Sequence, residues 1–233
     1  PVALLGSETC GDLVGAFRFG RPEDYRFKAG QHLILTLRTS EGPQRKVFTI
    51  ASAPDDDYLE VCTRLSGSAF KRALLGLDPG ASVEISAASG RLALAPDDAT
   101  TAFLVGGVGV TPARSMIRDS MAEGRTERIA LFFGDRSPKC MWYAKEFASI
   151  AERTSRLTYV PVVEHPDPSW TGETGFITAD TVRRHVVSPE RLRWIISGPP
   201  VMVDAMRRVA AELDIPAAHL QVEIFGGYRS ASQ

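Results

Sequence analysis

The apolar pattern of this chain changes period once, in the run Ala95-Pro96-Asp97-Asp98, and that change limits the folds open to it. Before it, residues 13–19, 32–37, 47–52, 58–63 and 82–86 are short runs of β-branched, aromatic and aliphatic residues, with Gly30, Gly42, Pro54, Asp55, Pro79 and Gly80 between them. Short strands spaced by turn residues favour an antiparallel barrel. One helix is expected within it over 68–75, where Ser68 can cap and Phe70, Ala73, Leu74 and Leu77 recur at helical intervals. After the change, strands expected at 102–105, 129–133, 157–163, 194–197 and 221–224 alternate with helices expected at 112–122, 142–152, 179–185 and 200–213. Such alternation makes a parallel sheet with helical crossovers. The expectation is a two-domain chain: an antiparallel β-barrel over 1–97, then an α/β doubly wound parallel-sheet domain of five strands over 98–233. The ligand crevice of such a sheet lies at the carboxyl ends of its strands. A junction this short predicts a fixed inter-domain cleft, where ligands usually sit.

Composition removes several alternatives. The chain has 233 residues, 44% hydrophobic and 24% charged, within the range of folded soluble proteins. Its formal net charge is -1 and no basic stripe is interleaved with aromatics, so the footprint of nucleic-acid binding is missing. No apolar run approaches the roughly 20 residues a spanning helix needs, and the N-terminus does not read as a signal peptide, so the expected location is the cytoplasm, away from membranes. Cys10, Cys62 and Cys140 are odd in number and far apart, which argues against disulfides and cluster loops; no metal site is expected, and any iron-sulfur centre downstream belongs to another polypeptide. Starting at Pro1 suggests processing, trimming or excision from something longer.

Four segments carry chemistry. In Val105-Gly106-Gly107-Val108-Gly109-Val110-Thr111-Pro112 an apolar strand enters a glycine turn and then a helix with proline in its first turn. Glycines let backbone approach a pyrophosphate, and the helix start offers free amides and positive charge. The spacing is not G-x-G-x-x-G, so by itself it also fits a plain tight turn. Ile195-Ile196-Ser197-Gly198-Pro199-Pro200-Val201-Met202-Val203 repeats the arrangement at another strand, and two such turns in one parallel sheet suit one extended ligand. In the barrel, Arg45-Lys46-Val47-Phe48-Thr49-Ile50-Ala51-Ser52 would place a cation and an aromatic ring on one strand face. Arg64 and Gly67-Ser68-Ala69-Phe70-Lys71 add a cation and a capped helix start.

Together these segments resemble the ferredoxin-NADP reductase family. Lys46-Val47-Phe48-Thr49 resembles its R-x-Y-S flavin motif, Gly67-Ser68-Ala69-Phe70 its flavin-phosphate helix, and the two glycine turns its nicotinamide-dinucleotide turns, all in the family's order. Ala29-Gly30-Gln31 and the terminal Glu223-Ile224-Phe225-Gly226-Gly227-Tyr228 extend the likeness over nearly the whole chain. The resemblance implies that Phe48 packs on the flavin ring, that Thr49 bonds near its redox nitrogen, and that Lys46 replaces the phosphate-binding arginine. Val47, Cys62, Thr63, Arg64, Gly67, Ser68, Ala69 and Phe70 would line the rest of the flavin. Gly107, Gly109, Thr111, Pro112, Asp135, Arg136, Ser137, Gly198, Pro199 and Met202 would hold the dinucleotide. Ser197 stands where relatives often carry cysteine beside the nicotinamide, and Glu223 and Phe225 resemble the C-terminal acid and aromatic that close over the flavin; Thr49, Ser197 and Glu223 are the catalytic candidates.

The implied activity is hydride transfer from NADH or NADPH to bound FAD, in preference to FMN, and then to a separate one-electron acceptor such as a ferredoxin, flavodoxin or oxygenase component. Asp135 suits ribose hydroxyls and Arg136 a 2'-phosphate. Glu164, His165 and Phe176 stand where NADP-preferring relatives place serine and arginines, so the loops lean toward NADH or dual use. A reductase of free flavin and a non-catalytic flavin-binding docking module remain open, and a monomer is the default.

Overall fold

A computed structural model describes residues 1–10, 14–95 and 100–226. It divides into two compact units, Pro1–Ala93 with Arg114–Glu123, and Leu94–Ala113 with Gly124–Gln233. Asp97, the expected boundary, lies outside the described residues, as do Leu13, Gly227 and Tyr228.

In the first unit, β1 (Val2–Cys10), β2 (Val14–Gly20), β3 (His32–Thr39), β4 (Gly42–Thr49), β5 (Tyr58–Arg64) and β6 (Ser82–Ile85) form one antiparallel barrel sheet in the order β4-β3-β6-β1-β2-β5. Period-two burial drives it: Leu33, Leu35 and Leu37 of β3 point inward between half-exposed neighbours. They meet Phe17, Phe19, Phe48, Ile50, Phe70 and Leu74 in one core. Each such side chain contributes about 1.5–3 kcal/mol by leaving water. Helix α1 (Ala69–Leu75) interrupts the strands where expected, with Ser68 Oγ accepting from the Lys71 amide at 3.4 Å.

Two expectations for this unit need correction. β1 carries no readable signal, because its outer half, Ser7-Glu8-Thr9, is polar and breaks the apolar alternation. β4 runs over Gly42–Thr49 rather than 47–52: a two-residue turn at Ser40-Glu41 pairs Thr39 with Gly42, whose φ is +96°, so strand pairing starts early among polar residues.

Arg114–Glu123 belongs to the first unit although its sequence position is beyond residue 98. The physical reason is a buried ion cluster. Glu60, fully enclosed, accepts from Arg114 Nη1 at 3.0 Å and from Arg18 Nε at 2.7 Å. Arg114 also donates to the Ala51 carbonyl, Ser115 Oγ to the Ser52 carbonyl, and Arg118 to Asp56.

In the second unit, β7 (Thr101–Gly106), β8 (Ile129–Asp135), β9 (Leu157–Val163), β10 (Glu173–Thr174), β11 (Arg193–Gly198) and β12 (Leu220–Ile224) pair in parallel in the order β10-β9-β8-β7-β11-β12. β7 is buried along its whole length, as a central strand covered on both faces must be. Helices α2 (Thr111–Ala122), α3 (Ala144–Arg153), α4 (Ala179–His185) and α5 (Pro200–Glu212) intervene, α2 contributing only its first three residues to this unit. The sheet has six strands, not five, since β10 is two residues long and carries no readable period. Helix α3 starts two residues later than expected, because Tyr143 takes a left-handed conformation. The chain passes from β7 outward to β8, β9 and β10, then returns to the other side of β7 with β11 and β12. That reversal makes the β7/β11 junction the topological switch point, where open α/β sheets bind ligands at the carboxyl ends of their strands.

Candidate functional site

Both glycine turns lie at that switch point. β7 ends at Gly106 and passes through a 3-10 turn, Gly107–Val110, into α2; β11 ends at Gly198 and passes through Pro199 into α5. Gly107 has φ +53°, which only glycine adopts without strain. Gly109 meets a different demand, since a Cβ there would lie 2.4 Å from the Ser197 carbonyl oxygen and 2.7 Å from Gly198 Cα. The two turns therefore touch through bare backbone. Met202 packs into the same place, with its Sδ 2.0 Å from where a Gly106 Cβ would be. Thr111, almost fully buried, donates to the Val108 carbonyl at 3.0 Å and fixes the turn, and Pro112 follows in the first turn of α2. The amides of Gly109 onward are thus held at the start of a twelve-residue helix, whose positive end suits an anion.

Ser197 is fully buried and its Oγ has no hydrogen-bond partner among the described residues. A buried hydroxyl left unpaired costs about 1–3 kcal/mol. An orphan hydroxyl beside two glycine turns fits a polar ligand group that completes it. Glu223 sits opposite Ser197 in the β11–β12 pairing, and the Phe225 amide donates to the Gly198 carbonyl at 2.9 Å. The three C-terminal candidates are thus brought to one strand end.

Farther along the sheet edge, Asp135 closes β8 and its carboxylate accepts from the Arg136 amide at 2.7 Å. Its carbonyl accepts from Glu164 N and that of Arg136 from His165 N, so two loops are tied together; Ser137 Oγ lies 3.4 Å from Cys140 Sγ. Phe176, after Gly175, is 71% exposed.

In the first unit the expected flavin residues occupy adjoining elements, with unequal access. Lys46 and Val47 are exposed, whereas Phe48 is 7% exposed and tilts against Phe70 at 5.8 Å. Thr49, Cys62, Thr63 and Ala69 are buried, Arg64 is half-buried, Gly67 and Ser68 are exposed, and the Phe70 ring lies entirely in the core. On β4 the chain passes from exposed Lys46 and Val47 to buried Phe48 and Thr49, the strand entering the core at Phe48.

Two residues inside the quoted segments have no role of their own assigned from the sequence. Gly106 makes a close approach that its place in the motif hinted at. Lys71 turns inward beside Phe48 and carries a signal only in hindsight: a cation inside the apolar stripe Phe70, Leu74, Leu77.

Comparison with known proteins agrees with this geometry. Residues 103–208 match the family model of the oxidoreductase NAD-binding domain. The chain is 32% identical over 215 residues to ferredoxin--NADP reductase B of Sorangium cellulosum (strain So ce56), covering 85% of each protein. It is 32% identical over 186 residues to the reductase component of phenol 2-monooxygenase from Pseudomonas sp. (strain CF600), covering 77% of this chain but 52% of that one, so it spans about half of that relative. A ferredoxin NADP+ reductase from Neisseria gonorrhoeae, solved with bound FAD and NADP, shares the fold with a TM-score of 0.81 at 22% identity, covering 96% of this chain and 97% of that one. With both glycine turns at the switch point and a relative matched at this identity over most of its length, the chain belongs to the ferredoxin-NADP reductase family of flavin-dependent oxidoreductases.

Proposed function

We propose that this chain is a reductase that moves a hydride from a reduced nicotinamide dinucleotide to FAD and delivers the electrons to a separate one-electron acceptor protein. The observation that carries it is the bare-backbone contact between the turns Gly106–Gly109 and Ser197–Gly198, which leaves amides and an orphan hydroxyl for one extended ligand. When bound, the flavin supplies the two-electron to one-electron conversion, and the protein orients and tunes it.

Gly107, Gly109, Thr111 and Pro112 would cradle the pyrophosphate with Gly198, Pro199 and Met202 as the facing wall. Ser197 would offer its hydroxyl to the nicotinamide, with Glu223 and Phe225 closing that strand end. Asp135, Arg136 and Ser137 would meet the far ribose. Lys46, Arg64 and Ser68 would hold the flavin's phosphates, and Val47, Phe48, Thr49, Cys62, Thr63, Gly67, Ala69 and Phe70 would shape the flavin site by packing or backbone. Glu164 beside Asp135 is poorly suited to a 2'-phosphate, which favours NADH.

The test is direct. Purified protein should stay yellow through gel filtration, and anaerobic NADH should bleach it within seconds. Loss of colour on the column would instead support flavin as a substrate, and a retained but unbleached flavin would support a docking module. Steady-state efficiency tenfold or more higher with NADPH than with NADH would overturn the cofactor preference.

A further inference from the structure

β4 ends at Thr49, and the next three residues, Ile50, Ala51 and Ser52, are fully buried outside any strand. Buried backbone without a strand partner needs other groups for its amides and carbonyls. The Ile50 amide donates to the Gln31 carbonyl at 2.9 Å, and the Ala51 amide to the Glu60 carbonyl at 2.8 Å. Two of the carbonyls are met by side chains of α2: Arg114 Nη1 donates to that of Ala51 at 2.8 Å, and Ser115 Oγ to that of Ser52 at 2.7 Å. Arg114 is 4% exposed and Ser115 not at all, so water does not compete for either bond. Glu60 holds the arrangement together. Its carboxylate accepts from the same Arg114 Nη1 at 3.0 Å and from Arg18 Nε at 2.7 Å, and its amide donates to Ser52 Oγ at 3.1 Å. A buried guanidinium and carboxylate gain little stability over an apolar pair of similar volume. What the charged pair adds is direction: a planar guanidinium held by an anion aims a donor at one carbonyl oxygen. That oxygen lies two residues beyond Thr49.

We propose that Arg114 is a positioning residue of the flavin site, held by Glu60 and joined by Ser115 in fixing the backbone that follows Thr49. This rests on the flavin reading above, in which Thr49 helps to shape that site. Arg114 acts through the Ala51 carbonyl and Ser115 through that of Ser52. Without them the strand end beyond Thr49 keeps its amide bonds but loses the two that restrain its carbonyls. A drift of about 1 Å in reacting groups costs about a hundredfold in rate, far more than the same drift costs a fold.

The experiment compares wild type, E60M/R114M and S115A by two measurements. In flavin-free protein, hydrogen exchange is followed for the amides of residues 48–53; in flavin-loaded protein, reduction by NADH is followed in anaerobic stopped flow. E60M/R114M puts an apolar pair in the cluster and should fold, yet its 48–53 amides should exchange about tenfold or more faster, the scale of a lost hydrogen bond to a charged group. Its rate of flavin reduction at saturating NADH should fall about tenfold to a hundredfold, while the NADH concentration for half saturation moves less than about threefold. S115A, which removes one neutral hydrogen bond, should show the same two effects at about twofold to tenfold, and it decides the matter where the double variant does not fold. Wild-type exchange or a wild-type saturating rate in the variants would overturn the assignment of Arg114 and leave the flavin reading standing, as would an effect confined to half saturation. Wild-type protein that binds no flavin, or whose flavin NADH does not reduce, would overturn both.

Discussion

Replacing Gly109 with alanine tests whether contact between two turns builds the dinucleotide site. The added methyl would lie 2.4 Å from the Ser197 carbonyl oxygen and 2.7 Å from both the Ser197 carbonyl carbon and Gly198 Cα. Non-bonded carbons rest about 3.5–4.0 Å apart, so one backbone must retreat by about 1 Å. Neither can do so freely. Ser197 and Gly198 belong to β11, paired in parallel with both β7 and β12, and the Gly198 carbonyl is engaged by Phe225 N. Overpacking of this kind costs about 1–3 kcal/mol, and a site displaced by about 1 Å loses about a hundredfold in turnover. G109A should therefore melt a few degrees lower and bind NADH at least about tenfold more weakly, as read by thermal denaturation and by titration with NADH. Gly106→Ala makes the matched control, because its methyl would strike the Sδ of Met202, the far end of a flexible side chain, at 2.0 Å. G106A should be milder, and G106A/M202A should melt higher than G106A because the clash with Met202 Sδ is gone. A G109A protein with wild-type NADH affinity and melting temperature would refute the reasoning, as would a double variant no better than G106A.

Other consequences can be checked on the same protein. Glu60→Gln leaves Arg114 buried beside a neutral group, so the unfolding midpoint in urea should fall by the equivalent of about 3–5 kcal/mol, and E60M/R114M should recover most of it. An E60Q midpoint equal to wild type would mean the cluster is not buried as described. Lys71 also makes stability depend on pH. Its folded pKa of about 8 lies below the ordinary lysine value of 10.5, so the unfolded chain takes up the proton first as pH falls. Flavin-free protein should thus lose stability as pH drops from 10.5 to 8, by at most about 3 kcal/mol, and change little from this source below 8. Melts of K71M against pH should lack that slope; a parallel curve would place the effect elsewhere. Tyr159, whose ring packs on Phe147, buries its hydroxyl with no hydrogen-bond partner among the described residues, and burial pushes its ionisation far up. Removing an unsatisfied hydroxyl is neutral or favourable, so Tyr159→Phe should melt at or above the wild-type temperature, and a drop of more than a few degrees would reveal a missing partner.

The features legible in the sequence are those set by period and local backbone chemistry. Leu157–Val163 and Ala179–His185 match their expected limits because β-branched runs and a Thr178 cap are local signals. Ser68 is readable as a cap for the same reason. β10 is not, because two residues have no period, and β1 is hidden by its polar outer half. Among candidate site residues, the close backbone approach at the glycine turns is legible from their composition. The inward course of Lys71 is not, because a helix position does not reveal that a long side chain will bend over Phe48. The placement of Arg114–Glu123 is equally hidden: it follows from an ion pair between residues 54 positions apart.

The glycine spacing shows why a motif can fail as a pattern and still hold as physics. Only Gly107 needs glycine for its backbone conformation, since Gly106, Gly109 and Gly198 do not take positive φ. Those three are small because something else occupies the space of a side chain: Met202 at Gly106 and Gly198, and the β11 backbone at Gly109. Their number and spacing are therefore dictated by how closely β7 and β11 end beside each other at the point where strand order reverses. A sheet with its reversal at another pair of strands would need glycines at other intervals to reach the same result. What defines this site is the pair of strand ends brought into backbone contact, with amides at a helix start and one buried hydroxyl left over for a ligand.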